Sequence, residues 1–191
     1  PVSRETFERL SLYHDLLLKW QSKVNLISPD TIRSTWNRHF LDAIQIFPMI
    51  EDKSKKIIDM GTGGGFPGMV IAIAGASNVH LIESDTKKIL FLREVARITN
   101  TSVTIHHARM EDKITSEADI ILSRACSPLA SLLSLGSHYV SHETICLFHK
   151  GKNYSKEIED ALLHWNFSHE TIASITDTQS AILKLTAITK R

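Results

Sequence analysis

The sequence predicts an α/β fold built on a doubly wound, mostly parallel sheet. From residue 56 onward, short apolar runs rich in β-branched residues alternate with longer amphipathic segments, which is the pattern of a parallel sheet covered by helices. The first run passes directly into a glycine-rich turn at residues 61–68, as at a strand–loop–helix ligand site. A polar turn separates the last two apolar runs, which predicts an antiparallel C-terminal hairpin at the sheet edge.

Two helices are predicted ahead of the sheet. Apolar residues recur every three or four positions from residue 3 to about residue 24, and Ser3 suits the N-cap. Ser28 and Pro29 predict the start of a second helix, because serine caps helices and proline is favoured at their first position. Pro48 would end that helix. Its expected apolar face comprises Ile32, Trp36, Phe40, Ala43, Ile44 and Phe47.

The rest of the chain alternates between strand and helix patterns. Strands are predicted at 56–60, 78–83, 103–107, 119–123 and 144–149, and helices at 67–75, 86–99, 128–136 and 155–165. The hairpin strands are predicted at 167–175 and 181–189. We therefore expect a helical cap of residues 1–54 on a domain of residues 55–191, the two forming one compact unit.

Composition limits the class of protein. A chain of 191 residues with 42% hydrophobic and 23% charged residues fits one soluble globular domain. No apolar stretch approaches the roughly 18 residues of a membrane span, and the first residues lack a signal-peptide layout. Two well-separated cysteines predict a reducing, cytoplasmic setting. No metal site is predicted from the ten histidines, and we expect a monomer without membrane association.

The glycine-rich turn distinguishes two kinds of nucleotide site. A dinucleotide fingerprint starting at Gly61 would need its third glycine at position 66, where Phe66 stands, which opposes a nicotinamide oxidoreductase. Gly61, Gly63 and Gly65 instead follow Asp59 in a D-x-G-x-G-x-G pattern, which resembles that of S-adenosylmethionine-dependent methyltransferases. A bare glycine loop in a flexible linker is the alternative, and the apolar β-branched lead-in opposes it.

A second acid lies at the spacing that such a site requires. Glu83 ends the predicted strand 78–83, about 20 residues beyond the glycine-rich turn. In nucleotide-binding α/β units an acid at this place accepts hydrogen bonds from the ribose hydroxyls. The alternative is a solvated residue at a strand end.

Several motifs together resemble one family, the bacterial small-subunit ribosomal RNA guanine-N7 methyltransferases, formerly called glucose-inhibited division protein B. They cover nearly the whole chain in order. The motifs are Tyr13-xxx-Leu17-xx-Trp20-xxxx-Asn25-Leu26, Arg38-His39-xx-Asp42, Asp59-x-Gly61-Thr62-Gly63-x-Gly65-Phe66-Pro67-Gly68, Glu83-Ser84-xx-Lys87-Lys88-xx-Phe91-Leu92 and Ser123-Arg124-Ala125. One departure is Glu83, where many relatives carry aspartate.

The resemblance implies methyl transfer from S-adenosylmethionine to N7 of a guanine in 16S ribosomal RNA or the small ribosomal subunit. N7 carries a lone pair and no proton, so no general base is required, and alignment is the main contribution of the protein. The motif Asn/Asp-Pro-Pro-Tyr/Phe, which amino-group methyltransferases place after the fourth strand, is absent here.

Arg124 is the predicted catalytic residue. It stands at the end of the fourth strand, facing the crevice of an open α/β sheet, and its planar fork suits a guanine edge, a phosphate or the cofactor carboxylate. A structural ion pair with a neighbour such as Asp59 is the alternative. Cys126 as a covalent nucleophile is less well supported. The predicted cofactor-binding residues are Asp59, Gly61, Gly63, Gly65, Phe66, Glu83, Met110, Glu111 and Arg124, with Met110 and Glu111 expected at the adenine.

Because the net charge is only +1, RNA binding would require a local basic patch. Candidate RNA-binding residues are Arg38, His39, Lys87, Lys88, Arg93, Arg109 and Lys150. Each could instead be a solvated surface charge. Arg38 and Asp42 have the spacing of an i,i+4 pair, and His39 could be a core histidine. Two other functions remain open: a methyltransferase of a small metabolite, and a cofactor-binding regulatory module without activity.

Overall fold

Seven strands form one sheet in the computed structural model, which describes residues 2–124 and 127–191. The strands are β1 (Ile57–Met60), β2 (Val79–Glu83), β3 (Thr104–His107), β4 (Ile120–Arg124), β5 (Ile145–Lys150), β6 (Trp165–Ala173) and β7 (Ala181–Lys190). Their order is β3-β2-β1-β4-β5-β7-β6. The first five are parallel, and β7 is antiparallel to both β5 and β6. The predicted fold class is confirmed.

The helices flank this sheet. They are α1 (Arg4–Gln21), α2 (Asp42–Ile44), α3 (Gly68–Ile73), α4 (Thr86–Ile98), α5 (Leu129–Leu135) and α6 (Tyr154–Leu162). Ser3 caps α1 by accepting a hydrogen bond from the Thr6 amide at 3.1 Å, as predicted. Asp85 caps α4 in the same way through the amides of Lys87 and Lys88. In the described parts of the chain, no helix combines the length and the hydropathy needed to cross a membrane.

The second predicted helix, over residues 28–47, is wrong as a continuous α-helix. The segment consists of a 3₁₀ helix (Pro29–Ser34), a wider π-type turn (Trp36–Leu41), the single turn α2 and a 3₁₀ turn (Phe47–Met49). The hydroxyls of Thr31 and Thr35 donate to the carbonyls of Ser28 and Ile32, at 2.7 and 2.5 Å. Such local bonds compete with a regular helical ladder.

The apolar side chains of the strands alternate between two hydrophobic clusters. Ile57 and Leu81 pack with α1, α3, α4 and the segment 24–50 on one face of the sheet, whereas Ile58 and Ile82 pack with α5 and α6 on the other. Successive strand residues point to opposite faces of the sheet, so a strand that is covered on both faces is apolar along its whole length. In β1, every residue except Asp59 is apolar. The division into units 1–54 and 55–191 stays a prediction.

The strand order positions a crevice. It reverses between β1 and β4, and ligands of open α/β sheets bind at the carboxyl ends of the strands beside such a reversal. Because β7 is antiparallel and Ala181 pairs with Lys150 at the end of β5, the β6–β7 turn (residues 174–180) lies at this same edge of the sheet.

Candidate functional site

A cavity of about 660 Å³ lies at the carboxyl ends of the strands. This is within the size range of small-molecule pockets. The loops after β1, β2 and β3 line one side, which we call the loop lobe. Residues 26–42, the ends of β4 and β5, and the β6–β7 turn line the other side, which we call the turn lobe.

The glycine loop forms the wall of the loop lobe. Gly61 and Gly63 line the cavity with φ of +67° and +58°, a conformation that side-chain-bearing residues rarely adopt. Gly65 does not line the cavity and serves packing instead. A Cβ atom there would collide with the Tyr13 hydroxyl, so α1 approaches the loop closely only because this position is glycine.

Asp59 supports the loop from below. Its Oδ2 accepts hydrogen bonds from the Thr62 hydroxyl at 2.5 Å and from the Gly68 amide at 2.8 Å, whereas Oδ1 is buried without a partner within the described residues. Burial raises the pKa of Asp59 to about 6, and the two hydrogen bonds oppose that rise. Asp59 does not line the cavity, so the structure gives it a place behind the loop. Its contact with a cofactor stays a prediction.

Glu83 lines the loop lobe at the end of β2 and is only 7% exposed. Its Oε2 accepts from the Gly63 amide at 2.9 Å, and its Oε1 accepts from the amides of Ser84 and Asp85, each at 2.8 Å. A carboxylate offers about four acceptor positions, so capacity remains for a hydroxyl group. Glu83 and the glycine loop are therefore in direct contact, as their spacing in the sequence predicted.

Phe66 ends the loop among aromatic rings. Tyr13 stacks on it with ring centroids 5.4 Å apart, and the Tyr13 hydroxyl donates to the Gly64 carbonyl. Phe40 packs edge-on at 5.2 Å. Burial raises the pKa of Tyr13 well above its usual value, so the hydroxyl remains a donor at neutral pH. These contacts fix the loop against the N-terminal segment.

Arg124 lies where β4 ends and lines the cavity. Its Nη1 donates to the Arg38 carbonyl at 2.9 Å and to the Asp42 carboxylate at 3.2 Å. The guanidinium lies 5.0 Å from the centroid of the Phe66 ring, in cation–π contact. The expected alternative of a structural ion pair is thus present, but with Asp42 and not Asp59, and Asp42 does not pair with Arg38.

His39 is the third hydrogen-bond partner of Arg124. Nη2 of Arg124 donates to His39 Nδ1 at 2.8 Å, because an arginine N–H can only donate. His39 Nε2 must then carry the proton that it shares with the Thr31 hydroxyl at 2.7 Å. Burial, followed by the charge of Arg124, lowers the pKa of His39 to about 4. This matches the alternative of an internal, neutral histidine, and its contact with RNA stays a prediction.

Asp42 and His149 also line the turn lobe. Asp42 Oδ1 accepts from Gln45 at 2.8 Å and from the Thr176 hydroxyl at 2.7 Å, which ties the N-terminal segment to the β6–β7 turn. His149, at the end of β5, donates from Nε2 to the Asp42 carbonyl at 2.8 Å. Its Nδ1 is buried without a partner among the described residues, and burial lowers its pKa.

Apart from His39, the predicted RNA-binding residues fall into three groups. Arg38, Lys88 and Arg109 line the cavity, with Arg38 and Arg109 exposed at the rim. Lys150 also lines it but is buried, donating to the Ser127 carbonyl at 2.6 Å and pairing with Glu157 at 2.8 Å. Lys87 and Arg93 are exposed away from the cavity.

Met110 and Glu111 line the loop lobe after β3, where they were expected. Glu111 is exposed, 3.9 Å from Arg109. Cys126, together with Pro1 and Ala125, lies outside the described residues.

Comparison with known proteins decides the family. The profile of the rRNA small subunit methyltransferase G family matches residues 6–185. The chain belongs to the rRNA small subunit methyltransferase G family. Family members named ribosomal RNA small subunit methyltransferase G include those of Paramagnetospirillum magneticum, 43% identical over 99% of this chain and 92% of the relative, and of Gluconobacter oxydans, 44% identical over 96% and 95%.

Solved structures agree on the fold of this methyltransferase G family member. The ribosomal protein L11 methylase of Lactobacillus delbrueckii has a TM-score of 0.60 at 16% identity, covering 78% of this chain and 76% of its own. A mutant of MtNAS in complex with S-adenosylmethionine has a TM-score of 0.64 at 12% identity, covering 94% and 74%. At such identities the likeness shows the fold alone.

Sequence reasoning missed three residues that build this site in the methyltransferase G family chain: Tyr13, Asp42 and His149. Tyr13 and Asp42 were part of motifs, but their partners, Gly64 and Arg124, are distant in sequence. His149 directly precedes Lys150 at a strand end, a place where parallel sheets present functional side chains. That signal could have identified it.

Proposed function

We propose that the chain transfers the methyl group of S-adenosylmethionine to N7 of a guanine in 16S ribosomal RNA. The observation that carries the proposal is the continuity of one cavity, which joins the Glu83-backed glycine loop to the arginine at the end of β4. The glycine loop with Glu83 suits a nucleoside that carries an amino-acid tail, and the region around Arg124 suits an acceptor base. The family membership supports the same proposal.

The cofactor is S-adenosylmethionine, and the loop lobe has the features that it needs. Glu83 retains acceptor capacity for ribose hydroxyls. Gly61 and Gly63 leave backbone open to the cavity, and Met110 and Glu111, which line it after β3, are the residues that we assign to the adenine. When bound, S-adenosylmethionine supplies an electrophilic methyl group on a positively charged sulfur.

The acceptor requires no proton removal, because N7 of guanine has a free lone pair. The surroundings of Arg124 agree with that chemistry. His39 is the obvious candidate for a general base, yet both of its ring nitrogens are hydrogen-bonded inside the protein and its pKa is about 4. Catalysis is then mainly alignment of the two reactants and exclusion of water, which together can lower a barrier by several kcal/mol.

Arg124 is the residue that we assign to the acceptor. Within the described residues, three of its N–H bonds are engaged by Arg38, Asp42 and His39, and a guanidinium has five. The engaged groups hold the fork in one orientation, and the remaining N–H groups can donate to the guanine or to a phosphate.

RNA as the substrate is supported by the exposed cavity residues Arg38 and Arg109 and by Lys88, which lines the same cavity. Cations at the rim of a cavity attract a phosphate backbone and orient it. The partner is 16S ribosomal RNA or the small ribosomal subunit. A cytoplasmic location and a monomeric state complete the proposal.

Transfer of a tritiated methyl group onto 16S ribosomal RNA from cells that lack this protein tests the proposal. We expect labelled N7-methylguanosine after nuclease digestion, with Arg124→Ala as the inactive control. At subsaturating RNA, the yield should fall steeply between about 50 and 200 mM salt, because phosphate contacts release counterions. A yield independent of salt would favour a small-molecule substrate, and cofactor binding without any transfer would favour a regulatory module.

A further inference from the structure

The β6–β7 turn contributes to the turn lobe an acid that has no role in methyl transfer itself. Asp177 lines the cavity together with Ser174, Thr176 and Ser180 of the same turn. The turn stands at the carboxyl edge of the sheet because Ala181 pairs with Lys150. In the sheet order β7 is two positions from β4, which is roughly 10 Å at ordinary strand spacing. Both Arg124 and Asp177 line this same cavity.

The carboxylate of Asp177 is held in place but not saturated. Its Oδ1 accepts from the Gln179 amide at 3.0 Å, and its Oδ2 accepts from the Ser180 hydroxyl at 2.9 Å and from Arg38 at 3.2 Å. These hydrogen bonds lower the pKa of Asp177, so the group is ionised and acts only as an acceptor at neutral pH. Among the described residues, about one acceptor position remains unused, and a second becomes available when Arg38 moves.

Arg38 can be released easily. The Arg38–Asp177 pair is half-exposed, with side-chain exposures of 44% and 31%, and pairs of this kind contribute little to stability. The Arg38 main chain is fixed separately, through its carbonyl bond from Arg124. The side chain is therefore free to turn toward an RNA phosphate while its backbone stays in place.

We propose that Asp177 is the residue that selects guanine, by accepting hydrogen bonds from the N1–H and N2–H groups of the target base. This inference rests on the proposed function. N7 and the N1–H/N2–H pair lie on different edges of guanine, so one base can present N7 to the methyl donor and its two donors to the turn.

The chemistry of the other bases explains the selectivity. Adenine presents an N1 lone pair at the same edge, which a carboxylate repels, and it lacks the N2 amino group. Pyrimidines have no N7. A site built to accept hydrogen bonds rejects an analogue without the donors strongly, because its polar group is then left unpaired.

Asp177→Asn tests the assignment with minimal disturbance of the turn. The Asn carbonyl oxygen can still accept from Gln179, and its amide can donate to the Ser180 hydroxyl, so we expect the fold and the cofactor affinity to persist. Asp177→Ser is a second variant that keeps an acceptor for the Gln179 amide. Asp160→Asn is the matched control, since Asp160 is an exposed acid on α6 paired only with Lys156 at 3.7 Å in the described structure.

Each protein is assayed for N7 methylation of two otherwise identical RNAs, one carrying guanine and one carrying hypoxanthine, which lacks the N2 amino group, at the target position. The unaltered protein and Asp160→Asn should prefer guanine by about 10- to 100-fold in kcat/KM, the value of a hydrogen bond to a charged group. Both Asp177 variants should lose about tenfold or more of that preference. An unchanged guanine-to-hypoxanthine ratio in variants that still bind the cofactor would overturn the assignment of Asp177 and leave the proposed function standing. Absence of N7 product from the unaltered protein would overturn both.

Discussion

Arg124 and His39 share a hydrogen bond of 2.8 Å in which the guanidinium is the donor and the imidazole Nδ1 is the acceptor. Donation by arginine leaves the histidine one tautomer, with its proton on Nε2 toward Thr31. The bond also joins the end of β4 to the N-terminal segment across 85 residues of sequence. Protonation of His39 would place two donors against each other, so this relationship requires a neutral imidazole.

Arg124→Lys should impair methyl transfer strongly while the protein remains folded. Lysine keeps the charge but cannot contact Arg38, Asp42 and His39 from one planar group. Arg124→Ala should be worse, because it also leaves the Asp42 carboxylate without its ion-pair partner. Single-turnover rates, with circular dichroism as the check on folding, measure the effect. A wild-type rate for Arg124→Lys would exclude a role that depends on the planar fork.

Glu83→Ala should weaken S-adenosylmethionine binding by about 1–3 kcal/mol, the value of hydrogen bonds to a charged group. It also removes the acceptor for the amides of Gly63, Ser84 and Asp85, so the loop itself loses support. Isothermal titration calorimetry gives the affinity, and Glu159→Ala, an exposed acid on α6, is the control. Unchanged affinity in Glu83→Ala would remove this residue from the cofactor site.

The single-turnover methylation rate should be nearly flat from about pH 6.5 to 8.5 at saturating RNA and cofactor. A general base would make the rate fall on the acidic side of its own pKa. N7 of guanine needs no proton removed, so no such fall is expected. The pKa of His39 is about 4, so this ring stays neutral across the whole window. Rapid-quench assays over this range measure the profile. A slope of tenfold per pH unit would argue for a reaction in which a proton is removed.

Asp59→Asn should remove a pH dependence from the free energy of unfolding between about pH 4 and 6. The pKa of Asp59 is raised by burial from 3.8 to about 6, so in this window the native state binds more protons than the unfolded state. Stability from this group is therefore present at low pH and lost as pH rises through 6, by about 3 kcal/mol.

His39 makes the free energy of unfolding depend on pH in the opposite direction to Asp59. Its pKa falls from 6.5 to about 4 in the folded state, so its contribution to stability is present above pH 6.5 and lost as pH falls. In the wild-type protein, the contributions of Asp59 and His39 to the pH dependence of the free energy of unfolding partly cancel. The difference between Asp59→Asn and wild type, from urea unfolding at several pH values, isolates Asp59. A difference that does not change with pH would show that Asp59 is not protonated in this range.

The sheet was predictable because its signals are local. Each strand of the parallel part is a β-branched apolar run ended by polar residues, and the observed bounds of β1 to β5 lie within one residue of the predicted ones. The Gly63–Glu83 contact was also predictable, since the spacing of loop and acid in such units is fixed by the fold.

The N-terminal part of the site was not predictable for the opposite reason. The apolar spacing from Ile32 to Phe47 has a helical period, but tertiary contacts determine its geometry. Ile32 and Trp36 are each 38% exposed, whereas His39 is buried against Arg124. No spacing rule connects Asp42 to Arg124, or Arg38 to Asp177, because the members of each pair are 82 and 139 residues apart in the sequence and meet only in the folded chain.

Under the proposed function, the antiparallel placement of β7 would assign the two tasks of the cavity to separate stretches of the gene. The methyl donor would be held by loops from residues 59–111, whereas the acceptor base would meet a turn from residues 174–180, close to the end of the chain. Insertions or exchanges within that turn need not disturb the loops around the donor. A catalyst arranged in this way could acquire a new target while its cofactor chemistry stays unchanged, which makes residues 174–180 the natural place to randomise in selecting variants for other RNA sites.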